Sequence, residues 1–211
     1  MTPVVLGPDD VVGDKPFTSL ELYTSDIVVL NGMLQDLRVV LSEAEAGTRV
    51  VTLHKRIAWK VEGLTHRVLI CNVERFMAPE EVCAVGFFSE RHTGLDIQPL
   101  EQANLEVVGE FKQYPGILSY SSVELPRGHW ANLVLHDTPD VAERWRESER
   151  HARAVADLSH VHYKNVRIHN AKLAEGLFGN AALRIERTKY FDYDGDEEWR
   201  AVRELPVPQA L

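Results

Sequence analysis

The spacing of apolar residues in the N-terminal third of the chain predicts a short strand, a long helix and a strand hairpin. Apolar residues recur at helical spacing from Ile27 to Leu41, which is typical of one face of an amphipathic helix. Thr24-Ser25-Asp26 precedes that helix with side chains suited to an N-cap, and Gly47 follows it. Period-two alternation then indicates two strands. The predicted elements are a strand at 17–23, a helix at 27–46 and strands at 49–61 and 67–76.

The rest of the chain has a clearer pattern, in the order strand, helix, two strands, helix and strand. The run from Val82 to Phe88 is continuously apolar, as in a buried strand. Pro115-Gly116 ends the first helix, and Thr138 with Pro139 suits the start of the second. The predicted elements are strands at 82–88, 117–125, 129–136, 163–169 and 181–190, a helix at 98–113, and a helix with Val141, Trp145, Ser148, Ala152 and Val155 on its inner face.

This order predicts an α+β fold built on a ferredoxin-like βαββαβ unit. Residues 82–191 would form that unit and residues 17–76 a degenerate βαββ half of a second one. A flexible arm (1–16) and an acidic tail (192–211) would flank them. Two such sheets can pack face to face, since each leaves one face uncovered. We therefore expect an α/β barrel, closed either across a dimer or by internal duplication. In either case we expect a homodimer or a higher homo-oligomer.

Composition excludes several classes of partner. The 211 residues include 23 Lys and Arg against 32 Asp and Glu, so the net charge is −9. This charge argues against nonspecific binding to nucleic acid or to anionic membranes. No apolar run approaches the ~20 residues that span a bilayer, and the first residues do not resemble a signal peptide. Two cysteines are too few for a disulfide framework. We therefore expect a soluble, cytoplasmic protein.

Two segments carry a resemblance to a known family. Tyr114-Pro115-Gly116-Ile117-Leu118-Ser119-Tyr120 is similar to the Pro-Gly-apolar strand entry of the antibiotic-biosynthesis-monooxygenase-like family. The following helix resembles that family's tryptophan, serine, histidine pattern through Trp145, Ser148 and His151. The resemblance covers residues 82–169. The chain departs from the family at Leu135-His136-Asp137, where members often carry an aromatic residue.

The resemblance implies a fold and a set of activities. The family belongs to the dimeric α/β-barrel superfamily, in which two ferredoxin-like sheets enclose a pocket. Its members include cofactor-free oxygenases that act on aromatic polyketides and haem-degrading oxygenases, and related barrels bind haem through a histidine. A single scaffold of this kind hosts many activities, so the chemistry depends on the residues of the pocket.

Two histidines are candidate catalytic residues. His151 lies at the edge of the inner face of the second helix, where it could serve as a base, a haem ligand or a hydrogen-bond donor. The alternative is a half-buried histidine bonded to a carboxylate or a carbonyl. His136 shares a strand face with Trp130 and would form an aromatic pocket wall with a polar tip, unless that face packs on helices.

Four residues are candidates for substrate binding: Trp130, Trp145, Tyr120 and His162. Tyr120 is either a pocket hydroxyl or a rim residue. His160 and His162 would share one face of a strand, a spacing that suits a metal. Because a third ligand at motif spacing is missing, a solvated pair is the alternative and no metal site is predicted.

These residues support two functions. In the first, Trp130, Trp145 and Tyr120 orient an aromatic or apolar small molecule, His151 or His136 removes a proton, and the resulting anion reacts with oxygen. The alternative is a haem-binding protein, a haem enzyme or a non-catalytic ligand carrier on the same barrel, so the cofactor is either absent or haem. The sequence lacks the G-x-G-x-x-G, Walker, G-x-S-x-G and H-E-x-x-H motifs, and nucleotide-binding, serine-hydrolase and zinc-protease functions have no motif support.

Overall fold

The computed structural model describes residues 2–76, 81–195 and 197–205. Within these ranges the chain forms an α+β fold with a nine-stranded mixed sheet and five α-helices. The strands are β1 (Val4–Leu6), β2 (Arg56–Val61), β3 (Leu64–Ile70), β4 (Val82–Arg91), β5 (Ile117–Glu124), β6 (Trp130–His136), β7 (Tyr163–Leu173), β8 (Arg184–Asp192) and β9 (Trp199–Glu204). The helices are α1 (Leu20–Glu45), α2 (Val73–Phe76), α3 (Gln98–Gly109), α4 (Pro139–Arg146) and α5 (Glu149–His162).

The spatial order of the strands is β1-β9-β8-β7-β4-β6-β5-β3-β2. Its centre, β7-β4-β6-β5, is antiparallel throughout, with α3 connecting β4 to β5 and α4–α5 connecting β6 to β7. This is the βαββαβ order that the hydrophobic pattern predicts. The hairpin β2–β3 extends the sheet beyond β5, and β8, β9 and the parallel strand β1 extend it beyond β7.

The sheet of the described residues is open, and the expected closure into a barrel within one chain is wrong. β1 and β2 are its two edges and do not pair with each other. The N-terminal part of the chain does not form a second ferredoxin-like sheet. It contributes α1 and the hairpin β2–β3 to the same sheet, and α1 covers the face on which a second sheet would have to pack.

The long helix α1 forms the main core with one face of the sheet. Its side chains Leu30, Leu34 and Leu37 are completely buried against residues such as Phe88 and Leu133. Burying each leucine contributes about 2 kcal/mol. Gly86 allows this close packing, because a Cβ atom there would lie 2.6 Å from the Leu30 Cδ1 atom.

The start of α1 differs from the sequence prediction. Instead of a strand at 17–23, a 3-10 turn spans Pro16–Thr18 and the helix begins at Leu20. The Ser19 side chain caps it by accepting a hydrogen bond of 3.3 Å from the Leu22 amide. Thr24-Ser25-Asp26 therefore lies inside the helix and is not its cap.

Several other boundaries also differ. The predicted strand at 49–61 begins only at Arg56, and the predicted strand at 67–76 ends at Ile70, before α2. The segment assigned as a flexible arm contains β1, and the segment assigned as an acidic tail contains β9. The predicted single helix after β6 is divided into α4 and α5. Ser148 causes the division, since its side chain accepts from the His151 amide at 3.2 Å and caps α5.

In the part of the chain that the structure describes, no helix combines the length and the apolar character needed to cross a membrane.

Candidate functional site

The two faces of the sheet are packed unequally. Opposite the tightly packed α1 face lie α3 and α5. The structure describes every residue of α3, and none of them is buried. In α5 only Ser159 and His162 are buried among the described residues. Beneath these two helices, Val85, Phe87 and Ile168 of the central strands are only half-buried. A cavity therefore remains between α3, α5 and the sheet.

This inner cavity has a volume of about 210 Å³ and mostly apolar walls. A cavity of ~150 Å³ can bind benzene, whereas pockets for drug-sized ligands measure ~300–1,000 Å³. The inner cavity therefore suits a molecule with a single ring. Its apolar lining consists of Leu100, Ala103, Val107 and Val108 from α3, Ala154, Val155 and Leu158 from α5, and Val85, Phe87, Val134 and Ile168 from the sheet.

A small group of polar side chains forms one end of the inner cavity. Asn132 Oδ1 accepts hydrogen bonds from Tyr120 Oη at 2.9 Å and from Trp130 Nε1 at 2.6 Å. Tyr120 Oη also lies 3.1 Å from Asn104 Oδ1. A phenol has one proton, so while Tyr120 donates to Asn132 it cannot also donate to Asn104. The Asn104 amide on α3 is then free to bond a ligand.

Two tyrosine hydroxyls line the inner cavity as neutral groups. Burial raises the pKa of Tyr120 above its usual value. Burial also raises the pKa of Tyr163 to about 12. Both phenols therefore keep their protons at neutral pH. Tyr163 can donate a hydrogen bond to a polar substituent on a ligand, whereas Tyr120, which donates to Asn132, can accept one.

His151 lines the inner cavity from the first turn of α5. Its Nδ1 atom lies 3.1 Å from the Arg146 carbonyl oxygen, and because a carbonyl only accepts, Nδ1 carries the proton. Burial lowers the pKa of His151, with the Arg146 charge adding to the effect. The imidazole is therefore neutral near pH 7, and its Nε2 lone pair is the basic site.

Trp145 lies beside His151, and its ring is shared between the core and the inner cavity. The indole packs on the His151 ring at a centroid distance of 4.7 Å and on Phe111 at 5.2 Å. In the described part of the chain its buried Nε1–H has no hydrogen-bond partner. A buried donor without a partner costs about 1–3 kcal/mol.

His136 faces a different pocket from His151. It lies beneath α4 in a pocket of about 410 Å³ with charged walls, and its Nδ1–H donates to the Thr138 carbonyl at 2.7 Å. Burial lowers the pKa of His136. The shared strand face with Trp130 and Val134 is as predicted, but the two histidines do not meet in one cavity.

His162 and its neighbour His160 are not on a strand. They are at the end of α5, where residues two apart point in different directions, so the expected shared face is wrong. His162 is buried and does not line the inner cavity. His160 packs on Tyr193 at a centroid distance of 4.8 Å.

An outer cleft of about 370 Å³ adjoins the polar end of the inner cavity. Leu100, Asn104, Asn132 and Tyr163 line both volumes. Trp130, the remaining substrate-binding candidate, lies in this outer cleft. The charged residues that line the cleft are Arg56, Arg67, Arg91, Glu101 and Glu124.

Several site residues did not stand out in the sequence. Phe87 lies in a continuously apolar run, which does not indicate which residues face each side of the sheet. Tyr163 stands at the boundary between α5 and β7. Arg67 lies on a strand that begins three residues earlier than predicted, at Leu64. For Asn132 the sequence does contain a signal. The period-two alternation along β6 places Asn132 on the same strand face as Trp130.

A second cluster of polar residues lies on the opposite face of the sheet, under α1. Asp26 accepts from Arg167 Nε at 2.6 Å and from Arg167 Nη2 at 2.9 Å, and it lies 3.0 Å from His169 Nε2. Thr188 bonds the other ring nitrogen of His169 at 2.8 Å. All four residues are buried, and none lines the inner cavity or the outer cleft. The cluster therefore holds α1 on the sheet.

Among residues 2–76, 81–195 and 197–205, no three His, Cys, Asp or Glu side chains are grouped so as to hold a metal ion. Comparison of the chain with protein-family models, with curated proteins and with solved structures gives no match.

Proposed function

We propose that the protein binds a small aromatic or apolar molecule in the inner cavity. The observation that carries this proposal is the grouping of Trp145, Tyr120 and His151 around one apolar volume of single-ring size. The ring of the ligand would pack between Phe87 and Trp145. A hydroxyl or carbonyl substituent would bond the polar end at Tyr120 and Asn104.

Proton removal by His151 is the enzymatic form of this proposal. Its neutral imidazole, oriented by the bond from Nδ1 to Arg146, leaves Nε2 as a base next to the ligand. In the oxygenase-like reaction that the family resemblance implies, His151 would take the proton of an acidic phenol or enol, and the resulting anion would react with oxygen. His136 cannot take part in the same step, because it lies in the other pocket.

Haem does not fit either histidine. Iron bound to His151 would place four pyrrole rings in a cavity that suits one ring. The larger pocket at His136 has charged walls that include Glu143, Lys172 and Lys189, which would not cover an apolar macrocycle. We therefore propose no haem-dependent step.

The ligand-binding proposal can be tested with phenol and two variants in which an alanine of α5 is replaced by phenylalanine. Ala154 lines the inner cavity, whereas Ala152 is exposed. Ala154→Phe would fill the cavity and should abolish phenol binding measured by NMR chemical-shift titration. Ala152→Phe should leave it unchanged. Equal binding by both variants would place phenol elsewhere and overturn the proposal.

The enzymatic form needs its own test. Oxygen uptake should be measured with a panel of acidic phenols and enols, for the wild type and for His151→Gln. General-base catalysis contributes about 10²–10⁴-fold, so the variant should lose at least 100-fold in turnover while still binding phenol. Undiminished turnover would remove His151 from the mechanism.

The homodimer expected from the sequence stays a prediction. Because α1 occupies the face that would close a two-sheet barrel, any dimer would use another surface. Sedimentation equilibrium distinguishes a monomer from a dimer.

A further inference from the structure

Three arginines surround the outer cleft, beside the polar end of the inner cavity. Arg56 is on β2, Arg67 on β3, and Arg91 at the end of β4. Glu101 and Glu124 also line the cleft, so its formal charge is positive although the protein carries −9 overall. A local excess of positive charge on an acidic protein requires an explanation.

The register of the sheet connects Arg67 to the inner cavity. Arg67 is opposite Ser122, Ser122 opposite Asn132, and Asn132 opposite Phe87. These four residues therefore lie in one row across four neighbouring strands. Partners in such a row point to the same face of the sheet, so Arg67 is at one end of the row and the floor of the inner cavity at the other.

The Arg67 guanidinium lies close to the polar end of the inner cavity. Its Cζ atom is 4.9 Å from the centroid of the Trp130 ring, and Trp130 donates to Asn132. Trp130 is paired with Ser89, which is two residues from Phe87 along β4. Two residues of a strand span roughly 7 Å and neighbouring strands lie roughly 4.8 Å apart, so about 8 Å separates the backbones of Phe87 and Trp130. A short molecule that extends past Trp130 can therefore reach from Phe87 to Arg67.

The hydrogen-bonding capacity of Arg67 is not fully used. Its Nη1 atom is buried and has no partner in the described chain, and its Nη2 atom is 3.8 Å from Glu124, too far for a hydrogen bond. Arg91 also stands near Trp130, with its Cζ atom 5.8 Å from the ring centroid, and uses its Nε–H on the Gly128 carbonyl. Guanidinium groups with free N–H donors match the planar geometry of a carboxylate.

We propose that the ligand is an aromatic carboxylic acid, with its ring in the inner cavity and its carboxylate bound by Arg67 in the outer cleft. This inference rests on the proposed function, because it assumes that the ring occupies the inner cavity. Arg67 confers selectivity for the acid, and Arg91 and Arg56 add positive charge. Asn104 and Tyr120 stand between the two volumes, where the connecting atoms of the ligand pass.

The test compares 3-phenylpropanoate with its neutral analogue 3-phenylpropan-1-ol by isothermal titration calorimetry. The acid should bind the wild type at least tenfold more tightly than the alcohol. Arg67→Gln should weaken binding of the acid about tenfold or more and leave binding of the alcohol unchanged. Arg153→Gln, at an exposed arginine on the outside of α5, should change neither affinity.

A salt titration of the wild type provides a measurement that does not depend on a variant folding. Affinity for the acid should fall between 50 mM and 500 mM NaCl, while affinity for the alcohol should not. If both compounds bind equally tightly and without salt dependence, the carboxylate inference is overturned and the proposed function stands. If neither compound binds, both are overturned.

Discussion

The imidazole of His151 packs on the indole of Trp145, with their ring centroids 4.7 Å apart. The indole therefore shields the imidazole from water, and burial is the main reason for the lowered pKa of His151. The contact also holds both rings at the wall of the inner cavity.

The first prediction concerns this contact. In Trp145→Leu, water should gain access to His151, and the pKa of His151 should rise toward its ordinary value, since the desolvation of the protonated form is relieved. NMR titration of the His151 Cε1–H proton measures the change. Trp130→Leu removes an indole that does not contact His151 and should leave that pKa unchanged. A similar shift in both variants would mean that Trp145 is not the shield.

The second prediction concerns the tight packing of α1 on β4. Gly86→Ala would place a Cβ atom 2.6 Å from the Cδ1 atom of the completely buried Leu30 side chain, so the packing there must shift. We expect a loss of about 1–3 kcal/mol in the free energy of unfolding, measured with urea. Gly32→Ala, at a glycine within α1 itself, meets no atom within 4 Å. It should stabilise the protein by about 0.5–1 kcal/mol, because alanine is the better helix former.

The third prediction concerns the buried ion pair of Asp26 with Arg167. Asp26→Asn leaves the guanidinium buried without a counter-charge and should cost about 3–5 kcal/mol of stability. The exposed pair of Asp140 with Arg144 provides the control. Asp140→Asn should cost far less, because water already solvates both charges. Equal losses from the two substitutions in urea unfolding would contradict the assignment of Asp26 as a structural anchor.

The fourth prediction concerns the dependence of stability on pH. Burial lowers the pKa of His136, His151 and His169, so each stays neutral in the folded protein at pH values where it is protonated in the unfolded chain. The unfolded state then binds more protons, and stability should fall as the pH drops below about 6.5. Each such histidine contributes at most about 1.4 kcal/mol per pH unit. Urea unfolding from pH 8 to pH 5 measures the slope.

Two results would decide the fourth prediction. His151→Gln removes one titrating group and should reduce the slope. A free energy of unfolding that stays constant between pH 8 and pH 5 would mean that these histidines are accessible to protons in the folded state.

The sequence predicts the central elements well, because each of them has a local pattern. The continuous apolar run at Val82, the Pro115-Gly116 break and the Thr138-Pro139 helix start together indicate the βαββαβ order, which the structure confirms. Ser148 is also a local signal. Its spacing from Trp145 and Ala152 fits an inner helical face, although a serine is equally suited to an N-cap.

The features that the sequence did not predict depend on distant partners. Asp26 looks like a capping residue, yet it is buried inside α1 because Arg167 and His169, more than 100 residues later, pair with it. The three residues of β1 become a strand only by pairing with β9. The inner cavity also depends on contacts between distant parts of the chain. The sequence indicates His151 and Tyr120 as separate candidate site residues, but they line one cavity only because α3 and α5 pack loosely on the sheet.

The position of α1 has a consequence for synthesis of the chain on the ribosome. This helix is made before the strands that bury Leu30, Leu34 and Leu37, and those strands extend to Leu173. Until β7 has emerged, the apolar stripe of α1 has no completed sheet to cover and is exposed to other nascent chains. We expect this stripe to be the main surface of the incomplete chain that molecular chaperones bind.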